Sequence, residues 1–458
     1  MRRLLLGLAC AILASLVTGC GAEDDRVHLT IWHQKTGAER VFFDEVIARY
    51  NAQREDVVVE PLYRETEELR NLFVIAAVGG QGPDLIFGPA DNVGVLALTE
   101  TLMPLDEVLG DEALAQFSDD GIVRWSEAAG AEGPPWLVAD QVGNHLVYVY
   151  NRELLPEPPE TTDALVDALQ RLTVDTNGDG RADQYGLTWN YREPFFFIPF
   201  LTGFGGWVMD DEGNPTLDTE ATVEAIRFVL DLRDRYGVIP AESDYDVAET
   251  LFKEGRAASI INGPWAWSGY GDSGIDYAIA PLPVVTETGL PAAPMVAPKG
   301  YSVNVNVDEE KLPYVRDLLL YLTGPEVQRE MAETLKTIPT IPSVREAVAA
   351  SGDPVLEASI EALEAGRMMP VEPQLRQIWD GTRGPYQLVM NGAVTPEEGA
   401  ALMQAEVEKR IADTFLESEG DAGRSFLVAG LLLVAALSFW FGLRPLWRRR
   451  QHRALQPA

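Results

Sequence analysis

The chain has 458 residues, 36 lysines and arginines against 71 aspartates and glutamates, and a formal charge of −35. A surface of that sign repels nucleic acid and anionic lipid, so nucleic-acid partners are excluded and neutral or cationic ligands, or a saline habitat, are favoured. Four histidines, at 28, 33, 145 and 452, show no metal-ligand spacing, and the two cysteines, Cys10 and Cys20, both fall near the N-terminus.

In chain order, Arg2 and Arg3 precede an apolar run, and Val17–Cys20 (VTGC) has the small-residue pattern of a lipoprotein cleavage site. Residues 1–19 therefore read as a signal peptide, Cys20 as the lipidated first residue and 20–26 as a linker, with a simple secretory signal as the alternative. The exported body then carries no disulfide, and its stability must come from a large core. Strand-like segments at 27–32, 57–60 and 83–87 alternate with helical ones at 39–53 and 67–78, the order of a parallel α/β sheet. Amphipathic stretches follow at 219–236, 308–322 and 396–418. A body of roughly four hundred residues exceeds one ordinary core, so two lobes are expected.

Two interior stretches carry chemistry. Asp175–Asp183 (DTNGDGRAD) places Asp175, Asn177, Asp179, Arg181 and Asp183 at the oxygen-donor positions of an EF-hand loop, with glycine at the sixth position. Gly186 stands where the closing glutamate would be, so a structural calcium and a run of Asx turns are both open readings. Ile261–Trp267 (INGPWAW) puts two tryptophans beside a Gly-Pro pair. With Asn262 or Gly263 as a helix cap and Pro264 at the first position, the rings fall on nearly opposite faces, one inward and one outward.

At the other end, 425–443 is an uncharged apolar run long enough to span a bilayer. Acidic residues precede it across the linker 419–424, and Arg444, Arg448, Arg449, Arg450 and Arg453 follow. The basic tail 444–458 is thus expected in the cytoplasm and the body on the outer face of the cytoplasmic membrane.

Beyond these signals the chain resembles bacterial extracellular solute-binding proteins of the maltose-binding type, the receptors of ABC sugar importers. The resemblance rests on Gly82–Phe87 (GPDLIF), Val149–Pro156 (VYNRELLP), Glu193–Phe195 (EPF), Ile261–Trp267, and the segment from Gly366 through Pro370, Pro373, Gln374 and Trp379. It implies a two-lobed type II-like periplasmic-binding fold with hinge strands, lobes at 27–142 with 300–338 and 143–299 with 339–418, and a monomeric binding body. It also implies a sugar ligand, ABC permease subunits as partners, and no cofactor for function. Trp265 and Trp379 match sugar-stacking platforms, with Trp267 packed into its own lobe, while Asp91, Glu193 and Arg383 match groups that bond sugar hydroxyls. Gly88, Asn92, Asn144, Phe195 and Asp380 depart from the maltodextrin binders' pattern, which removes some stacking surface and some hydroxyl partners. A glycosidase using Asp91 and Glu193 is the enzymatic rival, although nothing in the sequence fixes their separation; a membrane-tethered sensory subunit is the other rival.

Overall fold

The computed structural model describes residues 24–126 and 133–415. The signal peptide, Cys20, the apolar run 425–443 and the basic tail lie outside the described residues. Among those described, no helix is long and apolar enough to cross a membrane.

Strand β1 (Val27–His33) alternates buried and partly exposed residues, as a strand with one face on a core must. The helix Gly37–Ala52 follows, burying Phe43, Val46, Ile47 and Tyr50, the i, i+3, i+4, i+7 set of one helical face. Each such side chain contributes about 1.5–3 kcal/mol by leaving water. Strands β2 (Val57–Tyr63) and β3 (Leu85–Pro89) both pair with β1 in parallel, β1 lying between them. Short β4 (Leu102–Met103) and β5 (Ile122–Arg124) and long β6 (Pro135–Gly143) complete the first pass through this sheet.

The chain then leaves it. Strands β7 (Val147–Asn151), β8 (Ser259–Asn262) and β9 (Tyr277–Ala280) form a second, antiparallel sheet ordered β8-β7-β9. Strand β10 (Met295–Asn304) returns and inserts antiparallel between β3 and β6, giving the order β2-β1-β3-β10-β6-β5 in the first sheet. At its far end β10 also pairs with β11 (Arg367–Met368), which belongs to the closing helical part of the chain. The purely parallel sheet expected from the βαβ order is therefore mixed, because one strand arrives from the other lobe rather than over a crossover helix. Strands β6 and β10 are the two that lead directly from one sheet towards the other.

Their pairing is irregular. Lys299 stands opposite Gln141 and Gly300 opposite Ala139, so Asp140 is the extra residue of a bulge. Gly300 makes the bulge possible, since a Cβ there would lie 2.1 Å from the Val138 carbonyl oxygen. One apolar cluster packs the helices Gly37–Ala52 and Leu312–Leu322 against the first sheet, another packs Trp267, Tyr270 and Phe252 against the second, and a third runs from Ala90 and Leu137 on the first side to Trp189 and Trp379 on the second.

Candidate functional site

Between the lobes lies a groove of about 1250 Å³, mouth included. The first lobe contributes Asp91 and Asn92, on a single 3-10 turn Ala90–Asn92 that follows β3. Asn92 occupies the space above Gly88: a Cβ on Gly88 would lie 2.8 Å from the Asn92 amide nitrogen. The two positions noted as departures are thus in contact. Asn144 enters from the link between β6 and β7 with φ of 52°, a left-handed backbone that asparagine tolerates better than most residues.

The second lobe supplies an aromatic wall. The Phe195 ring lies 6.5 Å from Trp265 and 6.3 Å from Trp379, the latter edge-on, and Phe196 and Tyr245 continue the surface. The Ile261–Trp267 stretch is built differently from a capped helix. Asn262 ends β8, donating from its amide to Glu249 (2.7 Å) and Tyr270 (2.9 Å) and accepting from the Gly263 N–H. Its polar groups are therefore spent, and the helix Trp267–Asp272 begins only after a turn. Trp265 sits in that turn with its ring folded over Gly263, where a Cβ would meet the ring at 2.2 Å. Trp265 is half-buried on the groove wall, whereas Trp267 is fully buried.

Charged groups in the wall are held in pairs. Arg383 donates to both oxygens of Glu193 at 3.0 and 2.9 Å, a bidentate bridge across 190 positions of chain. Two turns earlier on the same helix, Gln374–Met390, Arg376 donates to Asp380. All eight residues singled out for ligand contact, Asp91, Asn92, Asn144, Glu193, Phe195, Trp265, Trp379 and Arg383, line the one groove. Asp380 is not among the lining residues: it accepts from Arg376 at 2.9 Å and lies 3.9 Å from Arg383.

Sequence reasoning missed the floor on the first-lobe side, where Glu39 and Lys299 meet. Glu39 accepts from Lys35 (3.3 Å), Gln141 (3.0 Å) and Lys299 (3.3 Å), and all four are buried. Burial pushes the Glu39 carboxyl upward in pKa, but Lys299, Lys35 and Gln141 outweigh it and bring it down to about 2. Asp140, on the bulge, lies 3.6 Å from Lys35 and is raised by its burial. A lysine inside an otherwise uncharged strand, Met295–Asn304, was the available signal for this cluster.

The Asp175–Asp183 loop turns its oxygens onto its own backbone. Asp175 accepts from the N–H groups of Gly178 and Gly180, Asn177 from Asp179, Asp179 from Arg181, and Asp183 from Thr176. Among the described residues no group of three or more His, Cys, Asp or Glu is gathered closely enough to hold a metal ion. The hydrogen bonds here are those of successive Asx turns.

A two-lobed α/β body with an aromatic and polar groove between the lobes is the architecture of a protein that binds a small solute. Comparison with known proteins agrees in fold and in family. The profile of the bacterial extracellular solute-binding proteins matches residues 45–358, and the chain belongs to that family. Among solved structures it is similar to the maltose/maltodextrin-binding domain MalE of Bdellovibrio bacteriovorus bound to maltotriose, with 39% identity, a TM-score of 0.81, and coverage of 84% of this chain and 100% of that one. The maltotriose-binding protein of Thermus thermophilus follows at 25% identity and TM-score 0.73, covering 84% and 100%. The maltotriose-binding protein of Pyrococcus abyssi is 27% identical over 81% of this chain and 79% of its own length.

Proposed function

We propose that the protein binds a neutral maltooligosaccharide, a disaccharide or trisaccharide, in the interlobe groove and delivers it to the permease of an ABC importer. The observation that carries this reading is the composition of the groove: an aromatic wall of Trp265, Phe195 and Trp379 beside the paired Glu193 and Arg383. A pyranose offers an apolar C–H face and a rim of hydroxyls, which such a wall complements. Ion-paired side chains suit hydroxyls, which donate and accept at once, better than a net charge on the ligand. The proteins that resemble this chain and are described as binding maltotriose support the same class. Calorimetry with a panel of maltooligosaccharides, other disaccharides, amino acids and polyamines is the test. Heat from a non-sugar alone would overturn the reading.

We place the lobes at 27–142 with 300–338 and at 143–299 with 339–418, and the body on the outer face of the cytoplasmic membrane. The tether follows from sequence: VTGC at Cys20 supplies a lipid, and 425–443 with its trailing arginines supplies a span. A tag on the C-terminus should resist external protease in intact spheroplasts. Its cleavage from outside would refute the span.

A further inference from the structure

The floor of the groove contains a lysine whose role the aromatic wall does not explain. Lys299 lies on β10 at the bulge opposite Gln141, 8% exposed. It borders the main groove and also a smaller recess, about 350 Å³ with the open solvent at its mouth included, that it shares with Glu39, Asn144, Pro264 and Trp265. Resting on the sugar-binding reading above, we infer that Lys299, steadied by Glu39, contacts the ligand and selects for one hydroxyl of the sugar ring lying against Trp265.

Three observations carry this. The Lys299 ammonium has three protons, and among the described residues its hydrogen bonds go to Glu39, at 3.3 and 3.5 Å, with the Phe87 ring centroid 5.8 Å away. Those distances are long for a charge-assisted bond, which is usually about 2.7–2.9 Å. Glu39, for its part, also accepts from Lys35 and Gln141, so Lys299 is one of three donors on that carboxylate. A nearly buried ammonium with donors to spare is costly unless an acceptor arrives, and a sugar hydroxyl oxygen in the groove is such an acceptor. Finally, the backbone places the group rigidly: the Asp140 bulge and the close approach at Gly300 fix this stretch of β10 against β6. A donor carried on a fixed backbone discriminates by position, because an analogue lacking the matching oxygen leaves one of its donors without an acceptor.

Calorimetry on the purified full chain, with maltotriose and a series of its monodeoxy analogues, tests the inference. The unaltered protein should bind one of those analogues 10–100-fold more weakly than maltotriose. Lys299→Met should bind maltotriose 10–100-fold more weakly and treat that analogue and maltotriose alike. Lys299→Arg, which keeps the charge opposite Glu39 and serves if the methionine variant does not fold, should also change the ranking of the analogues. A variant that binds as the unaltered protein does, or that loses affinity evenly with its ranking intact, would show Lys299 to be structural only and end the proposal. Failure of the unaltered protein to bind any sugar would instead sink the sugar reading, and this inference with it.

Discussion

At the scale of single residues, the two tryptophans of Ile261–Trp267 separate function from stability. Trp265 is half-exposed on the groove wall, so Trp265→Ala should weaken maltooligosaccharide binding by about 2 kcal/mol, roughly thirtyfold, while leaving the melting temperature near its original value. Trp267 is fully buried among Phe252, Tyr270 and the second sheet, and Trp267→Ala should cost about 3–5 kcal/mol of stability. Titration calorimetry beside thermal melts distinguishes the two, and the reverse pattern would reassign the platform. The sequence could say that one ring faces out and one faces in, but not which turn lies between them, because that depends on Asn262 bonding to Glu249 and Tyr270 from elsewhere in the chain.

His145 is a second residue whose behaviour follows from its surroundings. It is fully buried in the link between the sheets, edge-on to Trp267 and 3.3 Å from the Ser359 hydroxyl, and burial brings its pKa down from 6.5 to about 4. A histidine kept neutral in the fold but protonated in the unfolded chain stabilises fully above the unfolded value near 6.5. That contribution is lost as pH falls from about 6.5 towards about 4, and amounts to about 3 kcal/mol at most. His33, also brought down to about 4 by burial and by Lys35 and Arg40, acts in the same window. Melting temperature measured from pH 7 to pH 4 should therefore decline, and His145→Asn should flatten part of the decline. An identical slope in the variant would remove His145 from the account.

At the scale of elements, the places where the lobes touch decide whether they can close. The helix Val93–Leu98, on the first-lobe side, meets the segment before Gln374–Met390 at Gly94, where a Cβ would lie 2.0 Å from the Val371 carbonyl oxygen and 2.9 Å from Pro373. Backbone on the far side cannot yield as a flexible side-chain tip can. Gly94→Ala should thus prop the lobes apart: the radius of gyration at saturating maltotriose should stay above that of the unaltered protein, and affinity should fall at least tenfold. An unchanged scattering profile with ligand would show that this contact does not limit closure. The helices and strands themselves were largely legible. The segment read as 39–53 is Gly37–Ala52, 67–78 is Thr66–Val78, and 219–236 is Glu220–Asp234, because apolar periodicity and burial coincide there. The Asp140 bulge and the antiparallel insertion of β10 were not legible, since they arise from pairing with β6 some 160 positions away and with β3 more than 200 positions away.

At the scale of the whole molecule, the −35 charge of the chain and the paired charges of the groove make opposite demands on a ligand. The surface field repels anions and attracts cations, and falls off within about 8 Å at physiological salt. A neutral sugar feels neither effect. In the groove, the Glu193 and Arg383 pair presents donors and acceptors without a net charge for a charged solute to answer. The size of the body and its division into two lobes could be argued from length alone, and the groove residues from their motifs. That the groove is ion-paired could not, because Glu193 and Arg383 meet only when the closing helix packs onto the second lobe. The affinity for maltotriose should accordingly vary less than about threefold between 50 and 500 mM sodium chloride, since added ions screen a field to which a neutral ligand does not respond. A polyamine or other cation, drawn by the surface field, would bind much more weakly at the higher salt, and an anion more tightly. Calorimetric titrations at the two ionic strengths decide between them, and a tenfold change for the tightest ligand found would mean that the groove recognises charge rather than hydroxyls.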